Sequence, residues 1–162
     1  MFINMDANSV KIRNYEDSDK QRLLEIYDAA IPLAHWFLDE VTLLKQRQIG
    51  EECFDSGDSQ TFVLEIDGNV VGFSTLFSRP KSEIIISGFV IDPQFQGNGR
   101  GKMLMKDIQK KMSKHTIKLA VYEKNQKALN FYMKNGFEET SSASENPESP
   151  KYLVMEWKVK NN

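Results

Sequence analysis

The chain has 162 residues, of which 40% are hydrophobic and 27% charged, and its formal net charge is −2; this is the composition of an ordinary soluble globular protein and the length of one domain. No stretch approaches the roughly 18 consecutive apolar residues that cross a bilayer, and residues 1–17 lack the basic and apolar regions of a signal peptide. The single cysteine, Cys53, excludes an internal disulfide and a cysteine-rich metal cluster, so we expect a cytoplasmic protein that binds no metal and no membrane.

The first half of the chain predicts one strand, two helices and a hairpin. Apolar spacing gives the order strand 9–15, helix 16–31, a second helix starting near Leu38, strand 60–66 and strand 70–77. Asp17, Ser18 or Asp19 can cap the first helix, and Pro32 ends or kinks it. The two strands are joined by the sequence DGN, whose residues tolerate the positive φ of a tight turn.

The second half predicts a buried strand followed by alternating helices and strands. Residues 83–91, EIIISGFVI, are almost all apolar, as in a strand buried on both faces at the centre of a sheet. The later elements are helix 101–114 with Met103, Leu104, Ile108 and Met112 on one buried stripe, strand 116–122, helix 125–135 closed by Gly136, and strands 137–142 and 151–159. The polar segment 141–150 is predicted to be a mobile, functional loop. The whole pattern predicts an α/β domain, of the α+β kind, with a mixed sheet.

Residues 92–104, DPQFQGNGRGKML, carry three glycines at alternate positions between a strand and a helix, which is typical of a backbone that approaches another group closely. A Walker-type loop requires a glycine where Lys102 stands, and Met103 cannot bind magnesium. A dinucleotide fingerprint fails at the same lysine, because its third glycine is missing. The segment from Gln96 to Gly101 instead matches the pattern Gln/Arg-x-x-Gly-x-Gly/Ala.

This pattern resembles the pyrophosphate loop of the GCN5-related N-acetyltransferase (GNAT) superfamily. The segment NQKALNFYMKNGFEE resembles the second signature of that family, with Asn125, Ala128, Phe131-Tyr132 and Gly136-Phe137 in the matching places. The resemblance covers nearly the whole chain, so residues 1–162 are identified as a single GNAT domain, similar to small uncharacterised bacterial acetyltransferases. It implies a mixed, mostly antiparallel sheet of about six to seven strands, flanked by about four helices and splayed between strands 4 and 5.

The resemblance also implies that acetyl-coenzyme A is the cosubstrate. The residues it assigns to cosubstrate binding are Phe89, Val90, Ile91, Gln96, Gly97, Asn98, Gly99, Arg100, Gly101, Lys102, Asn125 and Tyr132. Physical chemistry agrees, because backbone N–H groups at a helix N-terminus attract a pyrophosphate and glycines leave room for it. In the family the backbone of 89–91 pairs with the pantetheine arm like an added strand.

The implied reaction is acetyl transfer to a primary amine of a small molecule or peptide by direct attack on the thioester. Tyr132 falls on the general-acid tyrosine of the family, although a core tyrosine explains the same pattern. Histone-acetylating relatives carry a glutamate base where this chain has Ile85. The base is therefore left open between His35, Glu83 and a water chain, and His35 also fits a histidine packed beside aromatic residues.

Two other functions fit parts of the chain. The missing strand glutamate is compatible with a non-catalytic coenzyme A-binding or sensing protein of the same fold. Residues 100–134 carry ten basic and two acidic side chains, but exposed aromatic residues do not interleave them, so we expect no nucleic acid partner. Acidic residues gather at 16–19, 39–40, 51–52 and 138–148, and they would favour a cationic amine if they faced the cleft. A homodimer is compatible with the resemblance.

Overall fold

A seven-stranded mixed sheet forms the centre of the protein, whose computed structural model describes residues 9–161. The strands are β1 Val10–Asn14, β2 Ser59–Ile66, β3 Asn69–Arg79, β4 Glu83–Ile91, β5 Thr116–Tyr122, β6 Glu138–Ala143 and β7 Tyr152–Trp157. The helices are α1 Lys20–Ala34, α2 Glu40–Phe54, α3 Arg100–Lys111 and α4 Gln126–Lys134, with short 3₁₀ turns at Asp17–Asp19 and Pro93–Phe95. The spatial order is β1-β2-β3-β4-β5-β7-β6, and among the paired strands of the described range only β4 and β5 run parallel. This architecture confirms the predicted fold class.

The first helix begins and ends at residues other than those predicted. A 3₁₀ turn precedes it, in which Glu16 is the N-cap and Asp19 accepts the Glu16 N–H at 2.9 Å. The helix then continues past Pro32, because the missing N–H of the proline falls in the last turn and costs only one bond there. The His35 N–H still donates to Ile31 O at 2.8 Å and closes the helix.

The sheet divides between β4 and β5, as predicted. Their parallel pairing joins Glu83–Ile86 to Thr116–Leu119 and stops there, so the later residues of both strands diverge. A β-bulge accompanies the division, because Ser87 falls between two consecutive β3 partners and has no partner of its own. A bulge bends its strand and increases the local twist, which turns the second half of β4 away from β5.

Two hydrophobic clusters lie on opposite faces of this sheet. Helices α3 and α4 cover the larger cluster, whose buried members include Leu64, Leu104, Met105, Ile108, Leu129 and Phe137. Helices α1 and α2 cover the other, whose buried members include Leu23, Ile26, Phe54, Val63 and Phe73. Neighbouring residues of β2 belong to different clusters, since successive side chains of a strand point to opposite faces. Within the described range, no helix is long and apolar enough to span a membrane.

Two predictions about burial are wrong. Strand β4 is not buried on both faces: Ser87 is exposed and Phe89 half-buried, because the split uncovers this part of the strand. On α3, Met103 is 47% exposed and Met105 is buried in the core. Positions three or four residues apart share a helix face, which places Met105 beside Ile108; Met103 is five residues from Ile108 and lies on another face.

Candidate active site

A cavity of about 900 Å³ opens where β4 and β5 diverge. Its walls come from α1, α2, β4, β5, α4 and the loop before α3. Since α1 and α2 cover one face of the sheet and α3 and α4 the other, the cavity runs through the sheet from face to face. Two ligands entering from opposite faces can therefore meet in the split.

The free edge of β4 faces this split. Asp92 N–H donates to Val71 O of β3 at 2.8 Å, and the backbone groups of successive residues point to opposite sides of a strand. The backbone groups of Ile91 and Phe89 therefore point towards β5, which has already diverged. One of these backbone groups already has a partner, because Gln96 Nε2 donates to Ile91 O at 2.9 Å. The Ile91 N–H and both backbone groups of Phe89 are left for an extended ligand.

The three glycines at the junction between β4 and α3 have two different roles. Gly97 and Gly99 have φ angles of +89° and +77°, and a Cβ on either would meet no atom within 4 Å. These two glycines provide left-handed backbone while the outer side of the loop stays open. Gly101 serves packing, because a Cβ there would lie 3.2 Å from the ring of Phe131.

The N-terminus of α3 makes this loop electropositive. The first bond of the helix runs from Met103 N–H to Gly99 O at 3.0 Å, so the N–H groups of residues 100–102 have no helical partner. Such groups, together with the helix dipole, bind phosphates. Lys127 Nζ lies 2.6 Å from Gln96 Oε1 and brings a positive charge to the loop. The open glycines and the unpaired N–H groups fit the pyrophosphate of coenzyme A.

Tyr132 lies on α4 at the split and is 9% exposed. Its ring packs against Phe89 and Phe137, with centroid distances of 6.3 and 5.7 Å. The side chain lines the cavity, and no hydrogen bond from residues 9–161 contributes to the pKa of its hydroxyl. Burial raises the pKa of this phenol, so the proton stays on the oxygen throughout the neutral range. Asn125 begins the helix, with Oδ1 accepting the Ala128 N–H at 3.2 Å.

His35 follows α1 and lies half-buried in the opposite part of the cavity wall. Its Nδ1 is 3.0 Å from Gln46 Oε1, and Gln46 Nε2 donates to the Tyr122 hydroxyl at 2.8 Å. An amide oxygen only accepts, so this contact is a hydrogen bond in the tautomer that carries the proton on Nδ1 and leaves Nε2 with a free lone pair. Burial lowers the pKa of the imidazole, and the hydrogen bond to Gln46 opposes that effect. The neutral form is therefore favoured at about pH 7.

Carboxylates are missing from the cavity wall within the part of the chain that the structure describes. Glu83 pairs with Lys118 at 2.5 Å in the still-paired half of β4, away from the split, which removes it as a candidate base. The acidic segments therefore do not supply this wall, and neither do residues 141–150. No group of three His, Cys, Asp or Glu side chains is placed to hold a metal ion in residues 9–161.

The cavity brings together most of the residues predicted from the sequence. The predicted cosubstrate residues that line it are Phe89, Val90, Ile91, Gln96, Gly97, Gly101, Asn125 and Tyr132. Asn98, Gly99, Arg100 and Lys102 lie beside it, in the loop and the first turn of α3. His35 shares the cavity with Tyr132. Cys53 is half-buried and lines the same cavity, where burial raises the pKa of its thiol.

Three residues of the cavity wall escaped the sequence analysis. Gln46 reaches Tyr122 across 76 positions of the chain, and no local pattern predicts such a contact. Lys124 lies just beyond β5, with Nζ 5.7 Å from the centroid of Phe37. One feature of the sequence could have pointed to Tyr122 and Lys124: they lie between the end of a strand and the helix cap Asn125. Functional side chains concentrate on such loops, which a rigid scaffold holds in place.

These features together define a coenzyme A-dependent acyltransferase fold, with a split sheet, a glycine loop at a helix N-terminus and a cavity through the split. The model of the acetyltransferase (GNAT) family matches residues 20–137, which is most of the chain. The chain belongs to this family. It is accordingly an acyltransferase, and its cosubstrate is acetyl-coenzyme A.

The individual proteins that the chain resembles have low sequence identity to it. Peptidyl-lysine N-acetyltransferase YiaC of Escherichia coli (strain K12) is 25% identical over 154 residues, covering 91% of this chain and 97% of that protein. Spermidine N(1)-acetyltransferase of the same strain is 26% identical over 142 residues, covering 81% of this chain and 74% of that protein. The solved structure of PaiA N-acetyltransferase from Thermoplasma acidophilum in complex with coenzyme A has a TM-score of 0.78 at 19% identity, covering 93% of this chain and 99% of that one. At that identity the structural match shows the fold alone.

Proposed function

We propose that this protein transfers the acetyl group of acetyl-coenzyme A to a primary amine, with Tyr132 as the general acid and His35 as the general base. The observation that carries the proposal is one cavity through the split, lined by His35 beside the α1–α2 face and by Tyr132 on the α3–α4 face. A donor from one face and an amine from the other then meet between these two side chains.

The donor binds along the free edge of β4 and the loop before α3. The Ile91 N–H and the backbone of Phe89 hold the extended arm, while Gly97 and Gly99 let its pyrophosphate approach the N–H groups of residues 100–102. The charges of Arg100 and Lys102, in the first turn of α3, add to the attraction. When bound, acetyl-coenzyme A supplies an activated acetyl thioester.

His35 acts on the amine. An amine in water is mostly an ammonium ion, and it must lose a proton before its lone pair can attack a carbonyl carbon. The His35 Nε2 accepts that proton, since Gln46 holds the other ring proton on Nδ1. The lowered pKa of His35 keeps this nitrogen unprotonated when the amine arrives.

Tyr132 acts on the sulfur. The new C–N bond forms as the C–S bond breaks, and the Tyr132 hydroxyl donates to the sulfur on which negative charge accumulates. Its raised pKa guarantees that the proton is present, and it also makes complete transfer harder. The benefit is therefore that of a hydrogen bond to a charged group, about 1.5–3 kcal/mol.

The alternative function is coenzyme A binding without turnover, and the lack of a carboxylate base in the described cavity wall is the observation that favours it. Thiol release from acetyl-coenzyme A in the presence of a broad amine panel separates the two functions. The proposal predicts release that depends on the amine and matches the amide formed. A protein that binds coenzyme A but releases no thiol with any amine is the binding protein instead.

A further inference from the structure

The half of the cavity beside α1 and α2 has a distinct composition, and we call it the acceptor chamber: Tyr27, Leu33, His35, Trp36, Ile49 and Tyr122. Leu33, Trp36 and Ile49 are 69%, 70% and 61% exposed, although each is a large apolar side chain. Exposed apolar side chains that line a cavity gain most from an apolar ligand, because binding removes their surface from water. The chamber therefore favours an apolar ligand body.

The charges around the acceptor chamber disfavour a second cation. In the whole described cavity wall the fully charged side chains are two lysines, Lys124 and Lys127, and no carboxylate balances them. The nearby Asp28 is held by Arg47 at 2.6 Å. The pKa of Tyr122 is raised mainly by burial and only to a lesser degree by Glu145, which lies in an exposed loop outside the cavity wall.

Aromatic rings bind ammonium groups through their faces, so an aromatic group beside the chamber is another place where a second cation could bind. Phe37 packs edge-on against Tyr122, with ring centroids 5.3 Å apart. The charged end of Lys124 already lies 5.7 Å from the Phe37 centroid. A ligand ammonium at this aromatic group would therefore meet a resident positive charge.

From these observations we infer that the acceptor is a small primary monoamine on an uncharged aromatic or aliphatic body, and not a polyamine. The inference rests on the proposed acetyl transfer and names its substrate class. This substrate class differs from spermidine, the substrate for which one relative of the chain is named. The reacting amine itself needs no carboxylate, since His35 removes its proton and leaves it neutral.

The test compares phenethylamine with spermidine, using the whole chain and saturating acetyl-coenzyme A. We expect kcat/KM to be at least about tenfold higher for phenethylamine. Equal or higher kcat/KM for spermidine overturns the inference and leaves the acetyl transfer standing. Calorimetry on the complex with coenzyme A gives a second measurement that does not depend on turnover.

If neither amine is acetylated, the calorimetry decides. Phenethylamine binding at least about tenfold tighter than spermidine supports the acceptor class, and the broad amine panel then decides separately whether acetyl transfer occurs. Equal affinities, or no binding of phenethylamine, overturn the acceptor class and leave acetyl transfer to be decided by the amine panel.

A matched pair of variants on α2 locates the effect in the acceptor chamber. Ile49→Glu places a carboxylate in the cavity wall, whereas Leu44→Glu places one at an equally exposed position (59%) outside it. Ile49→Glu is expected to lower kcat/KM for phenethylamine about tenfold and to raise it for spermidine, while Leu44→Glu leaves both within about twofold. Identical effects of the two variants would contradict the inference.

Discussion

Tyr132 is a polar side chain in an almost wholly apolar setting, and that setting decides how its role can be tested. Since no hydrogen bond among the described residues contributes to the pKa of its hydroxyl, Tyr132→Phe removes the oxygen without leaving an unpaired partner. We expect turnover to fall about 10- to 100-fold, the equivalent of one hydrogen bond to a charged group, with the affinity for acetyl-coenzyme A unchanged. Steady-state rates and calorimetry measure the two quantities.

Tyr152→Phe is the matched control for this prediction, since Tyr152 also lines the cavity and the substitution removes the same atom. Its turnover should stay within about threefold of the parent value. Equal turnover of Tyr132→Phe and the parent protein would remove Tyr132 from the mechanism.

The pair of His35 and Gln46 predicts a shift in the pH profile. Activity needs neutral His35, so it is lost as the pH falls through the His35 pKa, which burial holds below its ordinary value. Gln46→Glu puts a carboxylate beside the ring, stabilises the imidazolium and raises this pKa. The acidic limb of kcat/KM should therefore move upwards by about one pH unit.

Gln48→Glu is the control, because it makes the same chemical change on an exposed position of the same helix. Its profile should match that of the parent protein. An unmoved acidic limb in Gln46→Glu would show that His35 is not the base.

Among single residues, the sequence could predict those that belong to a contiguous pattern. Tyr132, Asn125 and the loop glycines stand in two short signatures, so their shared place followed from the resemblance. Gln46 and Lys124 stand in none, because the contact of Gln46 with Tyr122 exists only after α2 packs beside the end of β5. Glu83 was a candidate from its position on a strand, and only the pairing of β4 with β5 places it away from the split.

Among the elements, the loop between β4 and α3 has the most specific backbone. Gly97→Ala puts a Cβ on a residue with φ of +89°, at a cost of about 1–2 kcal/mol unless the loop changes shape. We expect the loop to change shape and the affinity for acetyl-coenzyme A to fall about tenfold. Calorimetric titration with acetyl-coenzyme A measures this change.

Gly68→Ala provides the matched control in the β2–β3 turn, where φ is +81° and a Cβ likewise meets no atom within 4 Å. It should lower the free energy of unfolding by a similar amount and leave the affinity unchanged. If both variants bind acetyl-coenzyme A as the parent does, the loop does not hold the pyrophosphate.

Element types were predictable because they depend on local periodicity, and the errors have local causes too. The stripe on α3 was misassigned at Met103, since the methionines at 103 and 105, on either side of Leu104, offer similar apolar patterns and only packing selects Met105. The composition of β4 suggested burial on both faces, but its second half borders the split instead of another strand. Segment 141–150 was predicted as a loop, whereas β6 continues to Ala143 by pairing with β7.

For the molecule as a whole, the split sheet gives the two ligands separate approaches. The α3–α4 face offers helix N–H groups and glycines, which suit an anionic donor, and the α1–α2 face offers apolar side chains and a neutral histidine. The donor side was predictable because its chemistry resides in backbone and glycine, which leave a signature. The acceptor side depends on side chains from distant segments, for which the sequence alone offered only His35 and the acidic residues as clues.

The central claim is direct transfer of the acetyl group to an amine. A single turnover with acetyl-coenzyme A that carries an isotope label in its acetyl group tests this claim most directly. Protein in excess over the labelled donor is mixed with a primary amine, and mass spectrometry then follows the label on the protein and on the amine. We predict that the label passes to the amine nitrogen and never to the protein, including Cys53, whose thiol burial keeps protonated. Label on Cys53 would contradict direct transfer, and label that stays on coenzyme A would contradict acetyl transfer itself.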